Sequence, residues 1–199
     1  MDADKPDPSS STVAPAALLL AEIERLRAEL IKAESRIAEL EARADVDPLL
    51  DILNRRGFDR ELARSLAYVK RYGTAAALVF IDLDEFKAIN DRHGHAAGDA
   101  LLKAVVAALK GHVRASDIVA RLGGDEFAVL MWHLEAAQAS AKARELEDII
   151  VQTEIARGTA RLSVGASAGS VVLGGEATPA EIFEAADQAM YVRKKERRG

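Results

Sequence analysis

Apolar residues recur in steps of three and four from Ala16 through Leu19, Ile23, Leu26, Leu30, Ala33, Ile37 and Leu40 to Ala44. That stripe is the seam of a coiled coil held for about four heptads. Ile23, Leu30 and Ile37 fill one core position, and Leu19, Leu26 and Leu40 fill the other. A partly β-branched set facing a leucine-rich set favours a parallel two-stranded coil. Across such a dimer Glu22 would face Arg27 and Arg36 would face Glu41, while Glu29 against Glu34 would repel. A helix lying on its own domain needs a broader apolar face. Residues 16–46 are therefore predicted to be a dimerising helix. Ahead of them, residues 1–15 carry Pro6, Pro8, Pro15 and a run of serines, and predict a disordered tail.

Asp47-Pro48 interrupts the periodicity, because proline disfavours helix at the residue before it. A helix is expected from Asn54 to about Tyr72, with Phe58, Leu62, Leu66 and Val69 on one face and Gly73 as its stop. The unbroken apolar run 75–81 predicts a buried central strand. A polar loop follows, then a helix over 97–113. Short apolar runs at 118–122 and 127–131 flank Gly123-Gly124-Asp125-Glu126 and predict a hairpin. A helix over 134–156, strand residues over 162–173 and a last helix opened by Pro179 complete the chain. This order predicts an α+β domain over 47–199, with helices packed on a mixed or antiparallel sheet.

Composition narrows the function. Hydrophobic residues make up 49% of the 199, enough for a core. The net charge of −5 lacks the basic footprint of a nucleic-acid partner and suits anionic lipid poorly. No cysteine is present, so disulfides and thiolate metal sites are excluded. Residues 1–11 carry no basic stretch of the signal-peptide kind. The apolar run 14–21 falls well short of the ~20 residues of a membrane span. The expectation is a cytoplasmic protein with no membrane insertion.

Two acidic turns carry the candidate chemistry. In Phe80-Ile81-Asp82-Leu83-Asp84-Glu85-Phe86-Lys87 a buried strand runs straight into carboxylates. In Gly123-Gly124-Asp125-Glu126-Phe127 a hairpin tip holds two glycines and two acids, and the glycines let a ligand approach the backbone. Alone, each reads as a solvated turn. If the strand and the hairpin are neighbours in one sheet, Asp82 and Asp125 end side by side. Two carboxylates that close need a cation or a proton between them. A hard divalent ion, Mg²⁺ or Mn²⁺, bound by one or two carboxylates and substrate phosphates, is the natural occupant.

Those five residues, 123–127, carry the signature for which the GGDEF family of diguanylate cyclases is named, and the resemblance extends further. The segment 47–56, Asp47-Pro48-Leu49-Leu50-Asp51-Ile52-Leu53-Asn54-Arg55-Arg56, resembles the family's D-x-L-T-G-L-x-N-R-R opening. Leu50-Asp51 stands where Thr-Gly is usual. Residues 82–91 resemble its D-x-D-x-F-K-x-x-N-D loop, His95 with Gly98-Asp99 the following G-H-x-x-G-D, and Ser167-Ala168-Gly169 a late S-x-G. The match spans about 45–199. It implies a five-stranded sheet of the nucleotidyl-cyclase and polymerase-palm kind. It implies that Asp82 and Asp125 bind metal by side chain and Leu83 by its carbonyl, with Glu126 in support. Asp125 would be the base for the 3′-hydroxyl. Asn90 and Asp99 would read guanine, while Lys87, Lys194 and Arg198 hold phosphates, the last two keeping a four-residue spacing in a tail that departs from the family's K-x-x-G-R-N. Phe86, His95, Gly123 and Gly124 complete the implied GTP site, although His95 reads equally as a packing residue. The reaction would join two GTP into cyclic di-GMP, with two domains meeting face to face in a homodimer.

Arg114-Ala115-Ser116-Asp117 precedes Gly123 at the spacing of the family's product-inhibition site, R-x-x-D, with Arg121 as a candidate helper. Read without the resemblance, such a pair is a helix-end ion pair. Input is expected through residues 1–46, from a protein partner or from dimerisation alone. Two rivals follow from the same residues: an inactive module that binds GTP or cyclic di-GMP, and an interaction protein acting through its coil. Asp82, Asp125 and Glu126 are all present, which favours the enzyme.

Overall fold

The computed structural model describes residues 10–158 and 160–198, with side chains for 18–36, 44–158 and 161–197. It divides into two units, one ending at Arg43 and one starting at Ala44.

The described residues of the first unit form one helix, α1 (Ser10–Ala44), of 35 residues, whose last residue opens the second unit. It begins before Ala16, inside the stretch expected to be a tail. Pro15 removes one hydrogen bond near the start of the helix and does not end it there. Among the described side chains, the seam residues Leu19, Ile23, Leu26 and Leu30 are exposed, at 65%, 43%, 50% and 58%. Glu22 and Glu29 both pair with Arg25 of the same helix. Ile37, Leu40 and Glu41 lie outside the described side chains.

The second unit is built from α2 (Arg55–Tyr72), β1 (Ala76–Asp84), α3 (Phe86–His93), α4 (His95–Gly111), β2 (Ile118–Gly123), β3 (Glu126–Trp132), α5 (Ala136–Val151), β4 (Glu154–Arg157), β5 (Ala160–Ser163), β6 (Gly165–Val172) and α6 (Pro179–Arg198). The main sheet runs β2-β3-β1-β6, antiparallel throughout. Among the described residues it has four strands where the resemblance implied five. β4 and β5 pair only with each other.

Strand alternation sorts the core into two layers. Val79, Ile81, Leu83, Phe127, Val129 and Met131 pack with Leu101, Val105 and Leu109 of α4 and Leu146 and Ile150 of α5. Leu78, Phe80, Ala128 and Leu130 pack with Phe58, Leu62 and Leu66 of α2 and Ile182, Ala186 and Met190 of α6. Asp82 and Glu126 continue the second set, so the sheet delivers its acids to the α2/α6 side.

Three further expectations need correction. The polar loop after β1 holds α3, whose eight residues are too few to show a period. Its Phe86 is buried while Glu85 turns the chain at φ 56°. The helix expected over 134–156 stops at Val151, and Gly158 at φ 61° turns β4 into β5. The strand expected over 162–173 breaks at Val164 into pieces of different sheets.

Candidate active site

β1 runs on through Asp82, Leu83 and Asp84 because β6 pairs it that far, with Asp84 opposite Gly165. Asp82 stands directly opposite Glu126 on β3. The Leu83 N–H donates to the Asp125 carbonyl at 3.1 Å, which fixes the hairpin turn beside the end of β1. Gly124 makes that turn at φ 40°. The strand end and the hairpin tip are therefore neighbours, as the two acidic motifs required.

Like charges opposite each other in a sheet are destabilising. Burial pushes the Asp82 carboxyl up; the Lys194 ammonium pulls the other way, and Asp125 and Asp84 add to the rise. Burial also raises Glu126, followed by the charges of Asp82 and Asp125. A site that strains its carboxylates toward the proton calls for a cation. Lys194 supplies one: its Nζ bonds the Asp82 carboxylate and lies 3.8 Å from Asp84. No three carboxylate or imidazole groups among the described residues converge tightly enough to hold a metal unaided. At most two such side chains can then be offered to one ion, beside a backbone that joins the Leu83 N–H to the Asp125 carbonyl. This suits a hard divalent ion that takes its remaining ligands from phosphates and water.

The tip is held from behind. Arg121 donates from Nε and Nη2 to the Gly124 carbonyl at 3.0 and 2.7 Å, and from Nη1 to Asp47 at 3.1 Å. Asp47 in turn accepts from the N–H groups of Leu49 and Leu50. Asp51, where the family has glycine, sits at φ 51°, a conformation aspartate tolerates better than most residues. Asn54 caps α2, accepting from Gly57 N–H at 3.1 Å and donating to the Ala44 carbonyl.

Asn90 has a buried side-chain oxygen with no partner among the described residues. It lies against α4 where Gly98 leaves room: a Cβ there would fall 1.9 Å from that oxygen. Asp99 follows Gly98 and is exposed, as are His95 and Lys87. Phe86 is buried beneath Gly98. The Arg198 side chain lies outside the described residues. Its neighbour Arg197 bonds the Ala166 carbonyl and lies 3.8 Å from Asp84.

Arg114 and Asp117 form a closed turn. The Arg114 N–H donates to Asp117 Oδ2 at 2.8 Å, and Trp132 N–H reaches Oδ1 at 3.3 Å. Their side of the domain is an open groove of about 690 Å³, also lined by Asp51, Glu61 and Lys110. Arg121 is committed to the hairpin tip, a position its distance from Arg114 in sequence did not reveal.

Sequence reasoning gave no role to Asp84, although it shares a strand face with Asp82 two residues earlier. It accepts from Ser167 Oγ at 3.0 Å and faces Lys194 and Arg197. It also missed Glu147 and Arg193, whose pairing crosses 46 residues and leaves no local signal.

Residues 44–199 match the family model described as diguanylate cyclase, GGDEF domain. The chain is 39% identical over 188 residues to diguanylate cyclase TpbB of Pseudomonas aeruginosa, covering 91% of this chain and 41% of TpbB. It thus spans less than half the length of that relative. A sensory box/GGDEF family protein of Caulobacter crescentus superposes with a TM-score of 0.69 at 35% identity, over 76% of this chain and 99% of the other. The coiled coil and GGDEF domain of DgcB from the same organism, solved with c-di-GMP, gives 0.72 at 27% identity over 89% and 94%. Among the described residues no helix is long and apolar enough to cross a membrane. With the family model covering 44–199 and the sheet superposing on these solved relatives, the chain belongs to the GGDEF-domain diguanylate cyclase family.

Proposed function

We propose that the chain condenses two GTP into cyclic di-GMP and two pyrophosphates, one GTP held by each of two facing domains. The observation that carries this is the convergence of Asp82, Asp125 and Glu126 where β1 meets the Gly123–Gly124 tip. Mg²⁺ or Mn²⁺ held by Asp82, Asp125 and the Leu83 carbonyl, with Glu126 in support, would neutralise charge on the phosphates. Asp125 takes the proton of the 3′-hydroxyl, whose oxygen forms the new bond to the other GTP's α-phosphorus as pyrophosphate leaves. The unpartnered Asn90 oxygen accepts a guanine N–H, and Asp99 accepts others. Adenine lacks that edge and would leave the buried Asn90 oxygen unpaired, a ground for rejection. Lys194, Arg198 and Lys87 hold phosphates. His95 is exposed at the start of α4, where it contacts substrate rather than filling the core.

Dimerisation through residues 16–46 would bring the two half-sites together by raising their effective concentration. The exposed seam of α1 supports it. In the same reading Arg114 and Asp117 bind cyclic di-GMP in the groove they border and hold the enzyme inhibited. A protein partner acts through the N-terminal helix, and the reaction belongs in the cytoplasm, where GTP is made.

The test is chromatography of the nucleotides left when protein stripped of bound nucleotide is incubated with GTP and Mg²⁺, beside Asp125→Asn. Cyclic di-GMP from the wild type, with at least ~10³-fold less from the variant, supports the assignment. GTP bound but unchanged by both would favour an inactive binding module.

A further inference from the structure

β6 is an edge of the main sheet, so alternate residues turn an N–H and a carbonyl away from β1. Ala166 and Ala168 are two of these. The Ala168 N–H donates to Glu147 Oε1 at 2.7 Å, and the Ala166 carbonyl accepts from Arg197. Glu147 comes from α5 and is 3% exposed. Its other oxygen, Oε2, accepts from Arg193 Nε and Nη2 of α6, each at 3.2 Å. A carboxylate so deeply buried is costly unless its charge and lone pairs are met. Here a strand N–H and a guanidinium fork meet them, tying α5, β6 and α6 together.

Arg193 immediately precedes Lys194, the cation at Asp82 and Asp84. The apolar contacts of Ile182, Ala186 and Met190 press α6 onto the sheet, but such contacts are non-directional. Two features stop it sliding. At Gly169 the helix backbone comes so near that a Cβ would lie 2.0 Å from Met190 N and 2.6 Å from the Ala186 carbonyl. One turn later Glu147 takes Arg193. A slip of one residue moves a helix about 1.5 Å and turns each side chain by about 100°, enough to carry Lys194 off the acids.

We infer that Glu147 is a positioning residue for the active site: by joining Arg193 to the edge strand it sets the register of α6 and so the place of Lys194. The inference rests on the cyclase reading, in which Lys194 holds GTP phosphates. Its test is a double-mutant cycle read by binding of a non-hydrolysable GTP analogue with Mg²⁺, with melting temperature recorded alongside. Glu147→Gln keeps an oxygen for Ala168 and loses the charge that holds Arg193. It is expected to weaken analogue binding roughly tenfold, the order of one charge-assisted hydrogen bond. In Lys194→Ala protein, with no ammonium left to misplace, the same change should alter binding by less than about twofold. Arg193→Lys, which keeps charge without the fork, should fall between, and it carries the same cycle if the buried change unfolds the domain. Leu146→Ala, a core cavity on the same helix, should lower the melting temperature and leave analogue affinity alone. Equal losses from Glu147→Gln in both backgrounds, or no loss in either, overturn the inference. A wild type that does not bind the analogue removes the cyclase reading as well.

Discussion

Asn90 carries the sharpest conflict between stability and function at the scale of single residues. A buried acceptor without a partner costs free energy that a folded domain has no structural reason to bear. Guanine would repay it. Asn90→Ala is thus expected to leave the melting temperature unchanged or raised, while KM for GTP rises about tenfold. Thermal melts with initial rates check this, and a lower melting temperature with unchanged KM would speak for a packing role. The acids were legible because chemistry of this kind leaves them in short runs at element ends. Asp84 was written in the same run, but only the pairing of β1 with β6 shows that it shares a face with Asp82. The unpartnered Asn90 oxygen could not be read from sequence at all, since satisfaction of a polar group depends on every neighbour in space.

Elements with a clear period or stop signal were well placed by the sequence: α2 between Asn54 and Gly73, the β2–β3 hairpin, and α6 from Pro179. Those missed, or in the case of β5 merged with the strand after it, were short. α3 has eight residues, and β4 and β5 have four each, too few for a pattern of 3.6 or 2 to accumulate. Gly158 was the one local sign of the β4–β5 turn. The role of Gly169 is a matter of elements as well. It was visible as part of a motif, yet its cause is the approach of the α6 backbone to β6. Gly169→Ala should destabilise the domain by about 2 kcal/mol, the usual cost of overpacking, and lower GTP affinity with it by lifting α6. Chemical denaturation and analogue binding measure the two effects. A variant as stable as wild type would show that α6 can move aside freely.

On the scale of the whole molecule, the proposed reaction asks for two active sites. Cyclising two GTP needs two 3′-hydroxyls attacking two α-phosphates, and the described residues of the domain bring one set of acids together at the end of β1. The helix ahead of it leaves four large apolar residues of one seam in water, at 43–65% exposure. Leu26→Asp together with Leu30→Asp should make the chain monomeric by sedimentation. At nanomolar enzyme it should cut turnover at least ~10²-fold, with partial recovery as concentration rises, because tethering supplies the millimolar effective concentration that free domains lack. Turnover independent of both the substitutions and the concentration would refute the coil's role.

The stoichiometry of the reaction decides whether the domain is a cyclase. Wild-type protein freed of nucleotide is given GTP with Mg²⁺, and cyclic di-GMP and pyrophosphate are counted in the same sample. Two pyrophosphates are expected for each cyclic di-GMP, and neither product without the metal. GTP left intact, or converted to GDP and phosphate with no cyclic product, would contradict it.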